Sequence, residues 1–442
     1  MNTNRPLRRF LRASYGVAEV GIIGVEVLLR VSLLIFYTDV VGLRSDLAGY
    51  AIALATLWDA VTDPFMGRLS DQKSIFNQRR RPYMMFGSFL LSFSVVFLFF
   101  PPHMDSQLSK CCYLLFSYVL VNTAMTIASV PYAAFAGDLT QEEHIRTELF
   151  GWRIVFGNLG FVAGTILPAV VGFMLRESEG QNHGTMDAYA SVGLGFLVLF
   201  TMGWTLWMTS GLDVSSAGEK KFDFSLKSHW KDLTHVLEVR DFRWILGTYF
   251  VATIGLTLNS SLALYYYRYR LLLEEVNIRI ILTVFMFVFS ASIPFWVFVS
   301  KKIDKYKLIA VSIFLLGIMT CLAYPWFPIG DATMPLVSSF IGGVLVGAIV
   351  LLDVAVADIA DQDRQGESSL GLYFGFWKFI GKISRAFALM ATGHVLYWVG
   401  FTPNKVQPVD VSWSLAIAFG PGVGVFLLLS SFLAYYAFCY KK

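Results

Sequence analysis

Two carboxylates in the first part of the chain lie where an acid is costly. Asp59 and Asp63 are four residues apart inside a predominantly apolar segment, 46–69. On a helix this spacing places both side chains on one face, about one turn apart. Two close carboxylates in a dry site cannot both stay charged, so they must share a proton or hold a hard cation such as Na⁺. We therefore predict that Asp59 and Asp63 form a cation site and are its metal ligands; the alternative is that one of them braces a neighbouring helix.

Ionisable residues also interrupt the first apolar segment. Glu19, Glu26 and Arg30 follow each other at offsets of seven and four, which places them on one helical face. We expect Glu26 to pair with Arg30 along the helix. The pair is predicted to contact a transported solute, and the alternative is a structural ion pair that makes a polar stripe tolerable.

A cationic face occurs near the end of the chain. Lys378, Lys382 and Arg385 are spaced by four and three residues in an apolar segment, and a charge at mid-membrane costs about 2.5–3.5 kcal/mol on insertion scales. Lys378 and Arg385 can extend their long side chains to a helix end. Lys382 lies deeper, so we predict that it faces a substrate cavity.

Further candidates come from charges near the predicted helix ends and from aromatic residues beside polar positions. Acids at the end of the tenth segment and arginines at the start of the fifth can form salt bridges between the two halves, present in only one state of a transport cycle. The predicted gate residues are Arg146, Asp358 and Asp361. The predicted substrate contacts also include Tyr132, Arg153 and Trp377.

Composition sets the class of protein. Of 442 residues, 56% are hydrophobic and only 15% are charged, and the mean hydropathy is +0.60. Soluble proteins carry about a quarter charged residues, so a soluble or disordered chain is excluded. Nothing in the sequence indicates nucleic acid binding, catalysis or a cofactor other than a coupling ion, Na⁺ or H⁺.

The apolar segments predict an all-α membrane protein with twelve transmembrane helices. Six fall in the N-terminal half (1–211) and six in the C-terminal half (244–442), with a polar cytoplasmic linker at 212–243. Basic clusters at 79–82 and 301–307 follow the second helix of each half, as in a parallel repeat, which is the major facilitator superfamily fold. The predicted spans are 16–38, 46–69, 83–100, 111–136, 151–175, 188–210, 244–266, 279–299, 308–327, 335–357, 370–398 and 412–438.

The distribution of basic residues predicts orientation. Most Lys and Arg fall in the loops on the side of the two termini, and such loops are usually cytoplasmic. We therefore expect a multi-pass protein of the inner membrane with both termini in the cytoplasm. Its expected partners are the lipid bilayer, a small-molecule substrate and a monovalent cation, and we expect a monomer.

Five segments resemble signatures of the glycoside-pentoside-hexuronide:cation symporters: SYG at 14–16, FYTDVVGL at 36–43, WDAVTDPFMGRLSD at 58–71, VPYAAF at 130–135 and ADIADQD at 357–363. The resemblance runs nearly end to end, and the WDAVTDP segment is the most specific. It implies that Asp59 and Asp63 bind the coupling cation, that Thr126 lies near the same site, and that Lys382 lies close to cation and sugar.

The chain departs from this pattern where the family binds sugar. The two carboxylates of the family are replaced by Ile23 and Ser129, and a tryptophan is replaced by Ala133. With acids lost and basic residues present, the resemblance implies a small polar, anionic solute such as a uronide, with Ser129 among its contacts and Glu26 in place of the first acid. The alternative is a sodium-dependent lysophospholipid transporter, which an apolar Ile23 would also suit.

Overall fold

The chain folds into twelve long helical segments within the described residues, 9–72, 80–140, 142–174, 183–210, 237–362 and 369–441 of a computed structural model. The segments are α1 (Arg9–Gly16, Ala18–Ile35 and the π-helical turn Phe36–Val40), α2 (Ser45–Gln72), α3 (Arg81–Phe99), α4 (Gln107–Leu139), α5 (Glu143–Met174), α6 (His183–Thr209), α7 (Arg240–Tyr265 and the π-helical turn Tyr266–Arg270), α8 (Glu275–Val299), α9 (Lys305–Ala323 and the 3₁₀ turn Tyr324–Trp326), α10 (Thr333–Val346, the 3₁₀ turn Gly347–Ile349 and Val350–Gln362), α11 (Ser369–Val399) and α12 (Val409–Ile417, the π-helical turn Ala418–Gly422 and Val423–Lys441).

The all-α membrane architecture predicted from the apolar segments is confirmed. Ten of the described helices are long and apolar enough to cross a membrane; α2, with the two aspartates, and α11, with the two lysines, are not among these ten. Most helices run beyond the predicted spans, because a helix can continue where its residues become polar. Most of the predicted linker, namely its residues 212–236, lies outside the described residues. Its last four residues are helical, since α7 begins at Arg240.

The chain divides into two compact units whose boundary differs from the predicted halves. Unit 1 contains residues 1–43 and 58–221, and unit 2 contains 44–57 and 222–442. Helix α2 is therefore divided, with its N-terminal part in unit 2 and the part that carries the two aspartates in unit 1. The sequence predicted uninterrupted halves, and the packing of residues 44–57 is the reason that they are not.

The two units repeat one structural pattern at an interval of 230 residues. A π-helical turn ends α1 at Phe36–Val40 and α7 at Tyr266–Arg270. Each turn is followed by a residue in the left-handed region, Gly42 with φ 70° and Leu272 with φ 53°. The next helices begin at Ser45 and Glu275. This correspondence supports the internal repeat that the basic clusters predicted.

In unit 1, glycines allow α1 and α5 to pack closely. A Cβ atom at Gly164 would lie 2.6 Å from the carbonyl oxygen of Gly24, and one at Gly160 would lie 2.7 Å from that of Val20. Small residues at helix crossings let backbones approach in membranes, where apolar surface alone does not drive helices together. The crossing fixes the position of α1 against α5.

In unit 2, the N-terminal part of α2 packs on α11. A Cβ atom at Gly49 would lie 2.9 Å from the carbonyl oxygen of Leu389 and 3.1 Å from the Cα of Gly393. Beside them, the Tyr50 hydroxyl lies 3.0 Å from Nε2 of His394, whose Nδ1 lies 3.2 Å from the carbonyl oxygen of Met390. A carbonyl only accepts, so Nδ1 carries the proton and Nε2 accepts from the tyrosine.

Candidate functional site

The candidate cation site consists of two acids and one hydroxyl, all in unit 1. Thr126 Oγ1 on α4 lies 2.9 Å from Oδ1 of Asp59 and 2.9 Å from Oδ1 of Asp63, both on α2. Thr126 is 2% exposed, while the two aspartates are half-buried. The structure thus brings together the three residues predicted to bind the cation.

The electrostatics of this cluster favour a bound positive charge. Because both oxygens contact one hydroxyl, they lie within about 6 Å of each other, a separation at which two carboxylates disfavour each other's ionisation. The threonine has a single proton and can donate to only one of them at a time. A cation or a proton between Asp59 and Asp63 would relieve the repulsion.

The neighbouring hydrogen bond fixes α2 against α4. Trp58 Nε1 donates to Thr123 Oγ1 at 3.1 Å, and that hydroxyl donates to the carbonyl oxygen of Val119 at 2.8 Å. Within the described residues, no group of three or more His, Cys, Asp or Glu side chains could hold a metal ion. The oxygens that this cluster offers a cation come from two carboxylates and from the threonine hydroxyl.

An ion pair of two half-buried side chains lies between α1 and α5. Arg153 donates from Nε and Nη2 to the two carboxylate oxygens of Glu19, at 2.9 and 3.0 Å. This two-point geometry is the strongest that arginine makes with an acid. Arg153 was predicted to contact the substrate, and in this structure Glu19, of the same unit, occupies its guanidinium.

Tyr132 is a packing residue in this structure. Its hydroxyl donates to the carbonyl oxygen of Tyr15, and the Tyr15 hydroxyl donates to that of Tyr132, both at 2.8 Å. Its ring lies 4.6 Å from the guanidinium carbon of Arg153. With 0% of its surface exposed, it cannot contact a solute in this conformation, so the prediction that it does so is not supported. Its contacts position Arg153.

The remaining predicted contacts in unit 1 lie on less buried surface. Arg30 Nη2 donates to Glu26 Oε1 at 2.6 Å, which confirms the expected pair along α1. Ile23 is half-buried on the same face of α1, and Ser129 is half-buried on α4. These side chains remain accessible, as a role in solute binding requires.

In unit 2, Trp377 is buried and has a structural contact that the sequence did not predict. The residue is 2% exposed, and its indole nitrogen donates to Asp353 Oδ1 at 2.8 Å. Its ring stacks on Tyr249 with centroids 3.8 Å apart. The prediction that the Trp377 ring lines a cavity is therefore not supported. Lys382, five residues after Trp377 on α11, is half-buried.

The predicted gate residues are placed as follows. Asp358 forms an ion pair with Lys305, within unit 2. Arg146 is exposed near the start of α5. The side chain of Asp361 lies outside the described residues. A gate that joins the halves in another conformation remains a prediction.

Sequence reasoning missed two acids. Glu19 was noted only as part of a polar stripe on the first helix. Its contact with Arg153 could not be predicted, because the separation of the two residues in a single sequence carries no signal. Asp353 was grouped with the acids at the end of α10, although it lies five residues before Asp358. Its isolation within an apolar stretch was the available signal.

Twelve helices in two repeated units define a secondary transporter of the major facilitator superfamily. More narrowly, the chain belongs to the MFS/sugar transport protein family, whose model matches residues 14–441.

Known proteins of similar sequence and structure agree with this assignment. The chain is 25% identical over 413 residues to a putative glycoside/cation symporter of Escherichia coli, covering 89% of this chain and 85% of that one. It is 24% identical over 419 residues to a glucuronide carrier protein homologue of the same organism, covering 93% and 88%. A bacterial homologue of the human lysosomal transporter Spinster, in an inward-facing and unoccupied conformation, has a similar structure with a TM-score of 0.70. It is 14% identical and covers 98% of this chain and 97% of its own.

Proposed function

We propose that this chain is a cation-coupled symporter that carries a small glycoside or uronide across the inner membrane by alternating access. The observation that supports the proposal best is the Thr126 hydroxyl, 2.9 Å from one oxygen of Asp59 and 2.9 Å from one of Asp63. Two acids held this close inside a membrane helix need a positive charge. The names of the relatives described above support the solute class.

In the proposed cycle, Na⁺ or a proton binds first between Asp59 and Asp63. Neutralising the pair removes the repulsion that otherwise separates the two side chains, and so stiffens the contact of α2 with α4. The solute then binds to Glu26, Arg30, Ser129 and Lys382. When the bound cation raises the affinity for the solute, the solute raises the affinity for the cation by the same factor, because linkage between two sites is reciprocal.

The basic residues among these contacts favour a solute with a carboxylate. Lys382 supplies a point charge, and Arg30 is paired with Glu26 at 2.6 Å. A uronide would add its own charge to a site that holds a surplus of basic groups. Arg153 is not among the proposed contacts, since Glu19 satisfies it.

The test is the variant Asp63→Asn in proteoliposomes with an imposed Na⁺ or pH gradient. The amide cannot supply the charge that holds a cation, so accumulation of methyl glucuronide against its gradient should be lost. Asp410→Asn, at an exposed acid of α12, serves as the control and should accumulate the solute like the parent. Undiminished accumulation by Asp63→Asn would exclude the aspartate pair as the coupling site.

The same assay separates the glycoside from the lysophospholipid alternative. Uptake of the radiolabelled glucuronide is measured with an excess of either unlabelled glucuronide or lysophosphatidylcholine. Competition by the glucuronide and not by the lipid supports the proposal. If the lipid alone is transported in a cation-dependent way, the lysophospholipid function replaces the proposed glycoside function.

A further inference from the structure

Asp353 is a carboxylate inside unit 2 for which the proposed cycle has no role. It follows an apolar stretch of α10 and is exposed, while Leu351, Leu352, Ala355 and Val356 around it are 1% exposed or less. Asp353 therefore lies at the edge of the core of unit 2, next to buried residues of the same helix. An exposed acid at this depth faces lipid or water, and facing lipid would be costly. We take its surroundings to be the aqueous path of the solute.

The carboxylate is held in a fixed orientation by a neutral donor. Trp377 Nε1 donates to Oδ1 at 2.8 Å, and the indole is stacked on Tyr249 with an angle of 16° between the rings. Gly381 makes room for this stack, because a Cβ atom there would collide with the Tyr249 hydroxyl. The buried indole thus fixes one carboxylate oxygen and leaves the second one available.

A basic side chain also influences this carboxylate. Lys378 is exposed on α11, directly after Trp377, and is near enough to interact electrostatically with Asp353. A carboxylate accepts hydrogen bonds from hydroxyl groups, and an ammonium donates to hydroxyl or ring oxygens. Together they complement a ligand with adjacent hydroxyl groups.

From these observations we propose that Asp353 binds hydroxyl groups of the solute, and that Trp377 is a positioning residue that orients the carboxylate. The ligand is a polyhydroxylated ring, so the proposal rests on the glycoside class of the proposed function. Within that class, it assigns hydroxyl recognition to unit 2 and leaves the coupling cation to unit 1.

The experiment measures binding of methyl glucuronide and its 2-, 3- and 4-deoxy derivatives by calorimetry at saturating coupling cation. Removing a hydrogen bond to a charged group should weaken binding of methyl glucuronide to Asp353→Asn by about 10- to 100-fold. With the parent, one deoxy derivative should show a loss of similar size. With Asp353→Asn that derivative should bind no more weakly than methyl glucuronide, because both changes remove the same contact.

Trp377→Phe tests the positioning role. It keeps an aromatic ring and leaves the carboxylate in place, so the discrimination between methyl glucuronide and the sensitive deoxy derivative should fall while binding itself is only partly reduced. Asp410→Asn again serves as the matched control. Cation-dependent thermal stabilisation, which depends on unit 1, should be unchanged in all three variants and shows that they are folded.

The outcomes separate this inference from the proposed function. If Asp353→Asn binds methyl glucuronide like the parent and keeps its deoxy discrimination, Asp353 does not contact the solute, although the symporter function stands. A parent that is stabilised by the cation but binds none of the glucuronides contradicts the glycoside class, and with it the hydroxyl role of Asp353.

Discussion

At the residue scale, one hydroxyl connects the two carboxylates that we assign to the cation. Thr126 cannot donate to Asp59 and Asp63 together, so in the unoccupied pair one oxygen always faces the hydroxyl lone pairs. A cation or a proton changes this arrangement, because both carboxylates then have a favourable partner at the same time. The threonine is therefore the most direct probe of the site.

Replacing this threonine should weaken cation binding without removing either charge. Thr126→Val has the same shape and lacks the hydroxyl, so we expect the cation concentration for half-maximal stabilisation to rise about tenfold or more, given about 1.5–3 kcal/mol for a hydrogen bond to a charged group. The measurement is the unfolding temperature as a function of Na⁺ concentration and of pH.

Thr126→Ser is the matched control for this prediction. It restores the hydroxyl on a smaller side chain and should respond to the cation nearly as the parent does. If valine and serine behave alike, the effect of position 126 comes from packing and the hydroxyl has no part in the site.

Single residues differ in how far sequence could predict them. The spacing of Asp59 and Asp63 indicated a shared helical face, and the structure places them together. Trp377 was chosen because it is next to Lys378, but adjacent residues on a helix point about 100° apart. One therefore lies in the core and the other outside it. Glu19 and Arg153 meet through a helix crossing that no local spacing reveals.

At the scale of elements, the contact of α2 with α11 depends on two residues without side chains. Gly49 and Gly393 let the backbones meet, and Tyr50 and His394 add a hydrogen bond beside them. The helix α2 continues from this contact to Asp59. The glycine contact and the cation site are therefore carried by one continuous helix, and a shift at the first is expected to move the second.

A methyl group at this crossing should force the two helices apart. We expect Gly393→Ala to lower the stability of the protein by about 1–3 kcal/mol, the usual cost of overpacking. A weaker response to the cation should accompany it, because α2 shifts as one element. The readouts are the denaturation midpoint in detergent and the cation titration described above.

Gly375→Ala on the same helix is the control. A Cβ atom at Gly375 meets no described atom within 4 Å, so its variant should keep the midpoint of the parent, apart from the small gain expected when alanine replaces glycine in a helix. Equal midpoints for Gly393→Ala and Gly375→Ala would show that the crossing adapts without strain.

The apolar segments predicted each of the helical segments α1 to α12, yet they could not predict helix ends, internal breaks or the helical residues 237–238 inside the linker. The π-helical turns at Phe36–Val40 and Tyr266–Arg270 contain Asp39 and two arginines, but polar residues at the end of an apolar segment do not distinguish a π-helical turn from an ordinary helix end. Hydrogen bonds from Leu43 to Tyr37 and from Leu273 to Tyr267 close both turns. These contacts are set by backbone geometry that the pattern of apolar residues does not encode.

At the scale of the whole molecule, the proposed orientation can be tested by reporter fusions. Alkaline phosphatase, which is active only outside the cytoplasm, is fused after Asp105, between α3 and α4, or after Lys302, between α8 and α9. With both termini cytoplasmic, the first fusion should be active and the second inactive, and a fluorescent protein at the C-terminus should be bright. The reverse pattern would show that the protein has the opposite orientation and that the basic loops do not determine the topology.

The division into units was only partly predictable. The repeat of two six-helix halves followed from segment count and basic clusters. The assignment of residues 44–57 to unit 2 depends on a helix crossing at two glycines, which in a single sequence look like any other small residues. Hydropathy assigns a segment to the membrane, and packing decides which neighbours it joins.

The 230-residue repeat has a consequence for how strongly such a carrier could concentrate its cargo. The positions in α8 that correspond to Asp59 and Asp63 are Phe289 and Ile293, so the duplicated half lacks a second acidic pair there and one ion per cycle is the expected stoichiometry. For a neutral glycoside, a tenfold ion gradient and 100 mV of membrane potential together supply about 3.7 kcal/mol, an accumulation ratio of several hundredfold. For a uronide the charges of ion and cargo cancel, the voltage does no work, and the same ion gradient alone limits accumulation to about tenfold.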